Sequence, residues 1–162
     1  MPIRNPSDLA LTLASGARLL ALDLGEKTIG LALSDPTRTV ATALETLRRT
    51  AFTKDAEKLK ALIAKHGLGG VVIGLPVNMN GTEGPRCQSV RAFAQNLERA
   101  IQEPIALWDE RLSTMAVTRT LVEADMSRRR RAEVVDKLAA AYILQGFLDF
   151  LRRPAPEGSR DE

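Results

Sequence analysis

One cysteine and one histidine in 162 residues exclude several kinds of chemistry at the outset. There is no internal disulfide framework and no His/Cys set for zinc. A lone Cys87 suits a reducing compartment, so the cytoplasm is the expected location. No apolar run approaches the roughly 20 residues of a membrane-spanning helix, and no membrane partner is expected. The opening MPIRNPSDLALTLASGARLL makes a poor secretory signal, because Asp8 precedes its apolar part and Arg18 interrupts it. What is present is 44% hydrophobic and 27% charged residues, the balance of a folded soluble domain. The length suits one domain with one substantial core. A net charge of +3 permits a phosphate-rich partner without requiring one.

Periodicity divides the chain into strands and helices. Leu19–Leu24 is apolar on both faces, as in a central strand. Gly25-Glu26-Lys27 is a turn in which Gly25 is expected at positive φ. Thr28–Ser34 then reads as a hairpin partner and Val40–Leu47 as a third strand. Thr53–His66 is an amphipathic helix stopped by Gly67. Gly70–Leu75 is a strand, a helix follows from Pro85, and Pro104–Trp108 is a further strand. Ser113–Ala124 is predicted helical, Met126–Ala132 a basic loop, and Glu133–Leu151 a long final helix. The connections between the first three strands are too short for crossovers, so those strands are antiparallel. The later strands alternate with helices and are parallel. A mixed five-stranded α/β sheet with helices on both faces follows. The expected divisions are an extension over 1–18, a catalytic domain over 19–151 and a polar, disordered tail over 152–162.

Three acids stand out of place. Asp23 ends an apolar strand, where a charge must be paired, bound to metal or protonated. Gly30, inside the next strand, marks close approach by a ligand or a backbone. Trp108-Asp109-Glu110-Arg111 ends another strand. Asp109 and Glu110 point to opposite faces, so one of the two can join Asp23. Both places are carboxyl ends of strands, where open α/β sheets form their ligand crevice. Asp136 heads a stripe with Ala140, Ile143, Phe147 and Phe150. Its alternative role is to complement the helix dipole. Two carboxylates ~4 Å apart repel by roughly 4 kcal/mol at an effective dielectric of 20. A cluster of three therefore calls for a cation, and oxygen ligands select a hard one, Mg²⁺ or Mn²⁺.

Four segments occur in order: ALDLGEKTIGLALSDP, GLPVNMNGTEG, DERLSTMAV and DKLAAAYIL. With these spacings the chain, from Leu19 to Leu151, resembles the YqgF/RuvX family of pre-16S rRNA nucleases, earlier described as Holliday junction resolvases. The resemblance implies a ribonuclease H-like fold with sheet order 3-2-1-4-5. It also implies that Asp23, Glu110 and Asp136 are the catalytic, metal-holding acids, which selects Glu110 over Asp109. The implied activity is metal-dependent hydrolysis of phosphodiesters, with ribosomal RNA precursor as first substrate and junction DNA as second.

Other residues are weighed against plainer roles. The eleven-residue GLPVNMNGTEG exceeds the usual strand-to-helix loop, which favours substrate contact by Asn78 and Asn80. Arg128, Arg129, Arg130 and Arg131 could meet phosphates or simply be solvated. Lys27 could touch substrate from its turn. Arg111 is expected to hold a loop, Trp108 and Cys87 to pack in the core, and His66 to sit at a helix C-terminus. A resolvase cuts two strands symmetrically and should be a stable dimer, so monomer or homodimer separates the substrates. The contrasting reading is an actin-like nucleotide-binding module, which needs two lobes where this length provides one. A binding module without catalysis is a third, at odds with the presence of all three acids.

Overall fold

The apolar run before Asp23 forms the middle of a five-stranded sheet. A computed structural model describes the backbone of residue 3, residues 5–112 and residues 128–152, and the side chains of that set outside 128–136. The elements run α1 (Pro6–Thr12), β1 (Arg18–Leu24), β2 (Thr28–Ser34), β3 (Ala41–Arg48), α2 (Phe52–His66), β4 (Leu68–Leu75), α3 (Pro85–Ala100), β5 (Ile105–Asp109) and α4 (Arg128–Arg152). A single 3₁₀ turn, Glu110–Leu112, follows β5. The sheet order is β3-β2-β1-β4-β5. β1 pairs antiparallel with β2 and parallel with β4, β2 antiparallel with β3, and β4 parallel with β5. The mixed sheet and its order are those expected from the sequence.

Alternation along the strands splits the core in two. Leu20, Leu22, Ile29, Leu31, Val71 and Ile73 turn toward α2 and α3. Leu19, Ala21, Ala32, Val72, Ala106 and Trp108 turn toward α4 and Leu9 of α1. Small residues on the second face let α4 lie close, with Ala139, Ala140, Ile143, Leu144, Phe147 and Leu148 buried against it. Trp108 is 4% exposed and packs edge-on to Phe147, with ring centroids 5.8 Å apart. Cys87 is buried in the first core, and burial pushes its thiol pKa up. Among the described residues, no helix is long and apolar enough to cross a membrane.

Three expectations change. The final helix begins at Arg128, not Glu133, so Arg128–Arg131 belongs to its first turn and is not a loop. Arginine is a good helix former, and nothing local interrupts the helix before Glu133. The strand reading of Gly70–Leu75 holds, so the loop counted as eleven residues shortens to 76–84. Gly25 does not adopt positive φ. Its value is space, since a Cβ there would press on Thr28 Oγ1 at 3.2 Å. The left-handed residue of the early turns is Arg38 (φ 54), whose guanidinium donates to Ala14 O and Ala17 O at 3.1 and 2.7 Å. The helix expected over 113–124 and the tail after 152 lie outside the described residues.

Residues 6–12, without an assigned element in the sequence reading, form a helix started by Asn5, whose side chain accepts from Asp8 N at 2.8 Å. Its apolar anchor, Leu9, is fully buried.

Candidate active site

Asp23 is the next-to-last residue of β1 and is 5% exposed. Its parity is that of Leu19 and Ala21, so it shares the α4 face of the sheet. Across the antiparallel ladder it stands opposite Gly30. On the parallel side, Leu22 is level with Ile73, which puts Asp23 level with Gly74 one step further on. The acid is therefore flanked on both neighbouring strands by residues that have no side chain.

Glu110 comes to the same face by a different route. β5 lies two strands from β1, a backbone separation of about 9–10 Å. The 3₁₀ turn after Asp109 brings the Glu110 side chain back over Gly74. A Cβ built on Gly74 would stand 2.8 Å from Glu110 Oε1, 3.2 Å from Glu110 Cγ and 2.4 Å from Ile143 Cδ1. Gly74 thus leaves the room through which a carboxylate on β5 reaches toward one on β1. The sequence reading had this glycine in the strand Gly70–Leu75 and also as the first residue of the GLPVNMNGTEG segment. Its parity with Val72 in the apolar run is the signal that identifies it as a face residue.

Geometry separates the two acids of the Asp109–Glu110 pair. The Asp109 carboxylate is taken up by Arg111: the backbone N–H donates at 2.9 Å, Nε at 3.1 and 3.0 Å, and Nη2 at 2.7 Å. These hydrogen bonds hold the Asp109 pKa below its ordinary value. Arg111 also reaches Met79 O at 3.4 Å, so it ties the strand end to the 76–84 loop, the holding role expected of it.

That loop braces itself. Asn78 N donates to Thr82 O at 2.9 Å and Gly81 N to Asn78 O at 2.8 Å, with Gly81 at φ 87. Asn78 Nδ2 donates to Thr82 Oγ1 at 3.0 Å, and Asn80 Oδ1 accepts from Thr82 N at 3.0 Å and Thr82 Oγ1 at 2.6 Å. Asn78 and Asn80 are exposed on the rim, with these amide groups engaged in the turn. Arg91 clamps Glu83 through two 2.7 Å contacts and lowers its pKa. Lys27 is exposed in the β1–β2 turn.

α4 supplies the third wall. Ile143 lies against Gly74, near the carboxyl end of β4. Further along α4, Gln145 binds Thr39 O and Ala41 N at 3.0 Å, near the opposite end of the sheet. The helix therefore begins beyond the carboxyl ends of β1 and β4. Residue 136 is two turns before Ile143, roughly 10 Å along the axis, on the acid-bearing side. Its side chain, and those of Arg128, Arg129, Arg130 and Arg131, lie outside the described side chains. Among the described residues, no group of three His, Cys, Asp or Glu comes together. Asp23 and Glu110 are the expected site acids whose shared face is described. His66 ends α2, away from both.

A sheet of this order, antiparallel in its first three strands and carrying acids at the ends of β1 and β5, defines the ribonuclease H-like class. At that level the structure is similar to Thermus thermophilus RuvC in complex with a Holliday junction substrate. The TM-score is 0.52 at 12% identity, covering 84% of this chain and 96% of that one. Residues 17–150 match the RuvX family, described as Holliday junction resolvase. The chain belongs to the RuvX family. It is 68% identical over 149 residues to a protein of Paramagnetospirillum magneticum named "Putative pre-16S rRNA nuclease", covering 92% of this chain and 96% of that one. A Rhodospirillum centenum protein of the same name is 57% identical, covering 100% of this chain and 90% of its own.

Proposed function

We propose that the protein is a metal-dependent nuclease that hydrolyses phosphodiester bonds of structured nucleic acid, with ribosomal RNA precursor as its substrate. One observation carries the reading: Asp23 is on the α4 face at the carboxyl edge of the sheet, and the Glu110 carboxylate lies on the same face over Gly74, the β4 residue level with Asp23. Family membership supports the activity, and the names of the close relatives favour precursor RNA over junction DNA.

Two carboxylates without an imidazole or thiol among them suit a hard cation, Mg²⁺ or Mn²⁺. The space over Gly74 is taken up by Glu110, which brings its carboxylate onto the face that carries Asp23, so the donor set on that face fits such an ion. Asp23 and Glu110 would hold it, with Asp136 as the proposed third ligand. When bound, the ion supplies water activation and charge neutralisation at the phosphate. The chain's own contribution is placement. Asp23 is fixed by its strand. Glu110 is positioned by the 3₁₀ turn, which Arg111 secures through Asp109 and Met79 O. Lys27, Asn78, Asn80 and Arg128–Arg131 are proposed to line the substrate's path.

The test compares cleavage of precursor 16S rRNA and of a four-way DNA junction, with Mg²⁺ or Mn²⁺ and with chelator. Wild type should cut the RNA when metal is supplied. Asp23→Asn should lose at least ~100-fold of that rate, since the lost interaction is of several kcal/mol, and keep its circular-dichroism melting transition. Undiminished cleavage by Asp23→Asn would refute the site. Junction cutting by a stable dimer, with RNA untouched, would replace the substrate.

A further inference from the structure

The arginines at this rim fall into two groups. Arg91 and Arg111 each meet a carboxylate, Glu83 and Asp109, at 2.7 Å. Arg49 and Arg86 have no ion pair among the described residues. Their recorded hydrogen bonds go to consecutive carbonyls at the end of β1: Arg49 Nη1 to Gly25 O at 2.7 Å, and Arg86 Nη2 toward Leu24 O at 3.5 Å. Between them lies a cavity of about 70 Å³ lined by Leu24, Gly25, Glu26, Arg49, Arg86 and Ser89. Two guanidiniums against one carboxylate leave this cavity net positive.

Arg49 is held in place from several sides. Its backbone N–H donates to Lys27 O at 2.8 Å, and its guanidinium lies 5.5 Å from the centre of the Phe93 ring. It is half-buried, which makes an uncompensated charge there costlier than on open surface. Arg86 and Ser89 stand in the first two turns of α3. That helix has Gly84 at its N-cap, no side-chain cap bond and no acid in its first turn. Pro85 carries no N–H and those of Cys87 and Gln88 donate to Gly84 O, so the helix start adds its positive dipole end to the same field. At about 70 Å³ the cavity exceeds what one water needs, so it has room for phosphate oxygens between the two guanidiniums.

We infer that Arg49, Arg86 and Ser89 form a subsite for a non-reacting backbone phosphate of the nucleic-acid substrate. The placement gives the subsite its meaning. Leu24 and Gly25 directly follow Asp23, and Leu24 turns into the core on the α2/α3 face. The cavity is thus over the lip of the sheet from the acids. A strand whose scissile phosphate sits at Asp23 and Glu110 presents a neighbouring phosphate across that lip. Arg49 and Arg86 donate to its oxygens, and Glu26 at the cavity wall opposes it. This subsite rests on the nuclease reading for its biological ligand, though its affinity for a phosphate anion does not depend on cleavage.

Two readouts keep those questions apart. In chelator, where no cutting occurs, a fluorescent single-stranded oligonucleotide is titrated at several salt concentrations. Arg86→Gln should weaken binding by about 3- to 10-fold and reduce the log–log salt slope by about 1. Arg99→Gln, at the far end of the same helix, should leave the slope unchanged, and Glu26→Gln should tighten binding. Inorganic phosphate is then titrated by amide NMR. Saturable shifts of the Arg86 and Ser89 amides in wild type, absent in Arg86→Gln, support the subsite even if wild type cleaves nothing. Shifts that do not saturate, or a wild-type salt slope in Arg86→Gln, overturn it while leaving the acid site intact.

Discussion

β4 carries glycines at both ends, and the space they leave is used differently. At the amino end, a Cβ on Gly69 would meet Ala17 Cβ at 2.7 Å, and one on Gly70 would meet Leu19 Cδ2 at 3.0 Å and Leu9 Cδ1 at 3.2 Å. Those neighbours are hydrocarbon, and the glycines let the chain before β1 close over the sheet. At the carboxyl end, the space over Gly74 admits a carboxylate oxygen of Glu110 beside Ile143. One end of the strand is shaped for packing and the other for charge. Substitutions at the two ends should therefore separate stability from activity.

The largest effect should come at the carboxyl end. Gly74→Ala forces Glu110 and Ile143 apart, and should lower cleavage per folded molecule at least ~10-fold. The same change costs about 1–3 kcal/mol by overpacking. Gly69→Ala should cost a similar amount in a urea melt, because Ala17 Cβ cannot rotate away, yet leave cleavage per folded molecule near wild type. Equal activity loss at both positions would erase the distinction between the two ends.

A smaller effect is expected from Arg111→Gln, which frees Asp109 and unties the 76–84 loop. Its KM should rise several-fold, with little loss of stability for so exposed a pair. The pH dependence has a definite sign. Arg111 depresses the folded pKa of Asp109 from its ordinary 3.8. The pair's contribution is complete above about pH 4 and disappears as pH falls through the depressed value. The stability gap between wild type and Arg111→Gln should therefore close on acidification toward pH 2 and stay constant between pH 6 and 8. A gap that widens in acid would contradict the pairing.

The mixed sheet was legible because the apolar runs at Leu19–Leu24 and Gly70–Leu75 and the short early turns fix which strands can be antiparallel, whereas the strand order came from the family resemblance. Asp23 was legible for the same reason, as a charge closing an apolar run. Alternation alone could not choose between Asp109 and Glu110. The family resemblance made that choice, while the 3₁₀ turn and the folding of Arg111 over Asp109, which set the two acids apart, are tertiary facts. Gly74 was legible as a strand residue, but its role was not, because that appears when Glu110 is seen beside it. The start of α4 was misplaced because four arginines read as a solvated loop, although their helix propensity is high. Arg49 and Arg86 are 37 residues apart, and nothing local announces that both converge on the end of β1.

The most direct measurement is the anomalous difference map of a crystal soaked in Mn²⁺. A peak within coordination distance of both the Asp23 and the Glu110 carboxylates, absent in Asp23→Asn, is the expected result. Saturating Mn²⁺ that binds elsewhere, or that leaves this pair of carboxylates without a peak, would contradict the site on which the proposed activity stands.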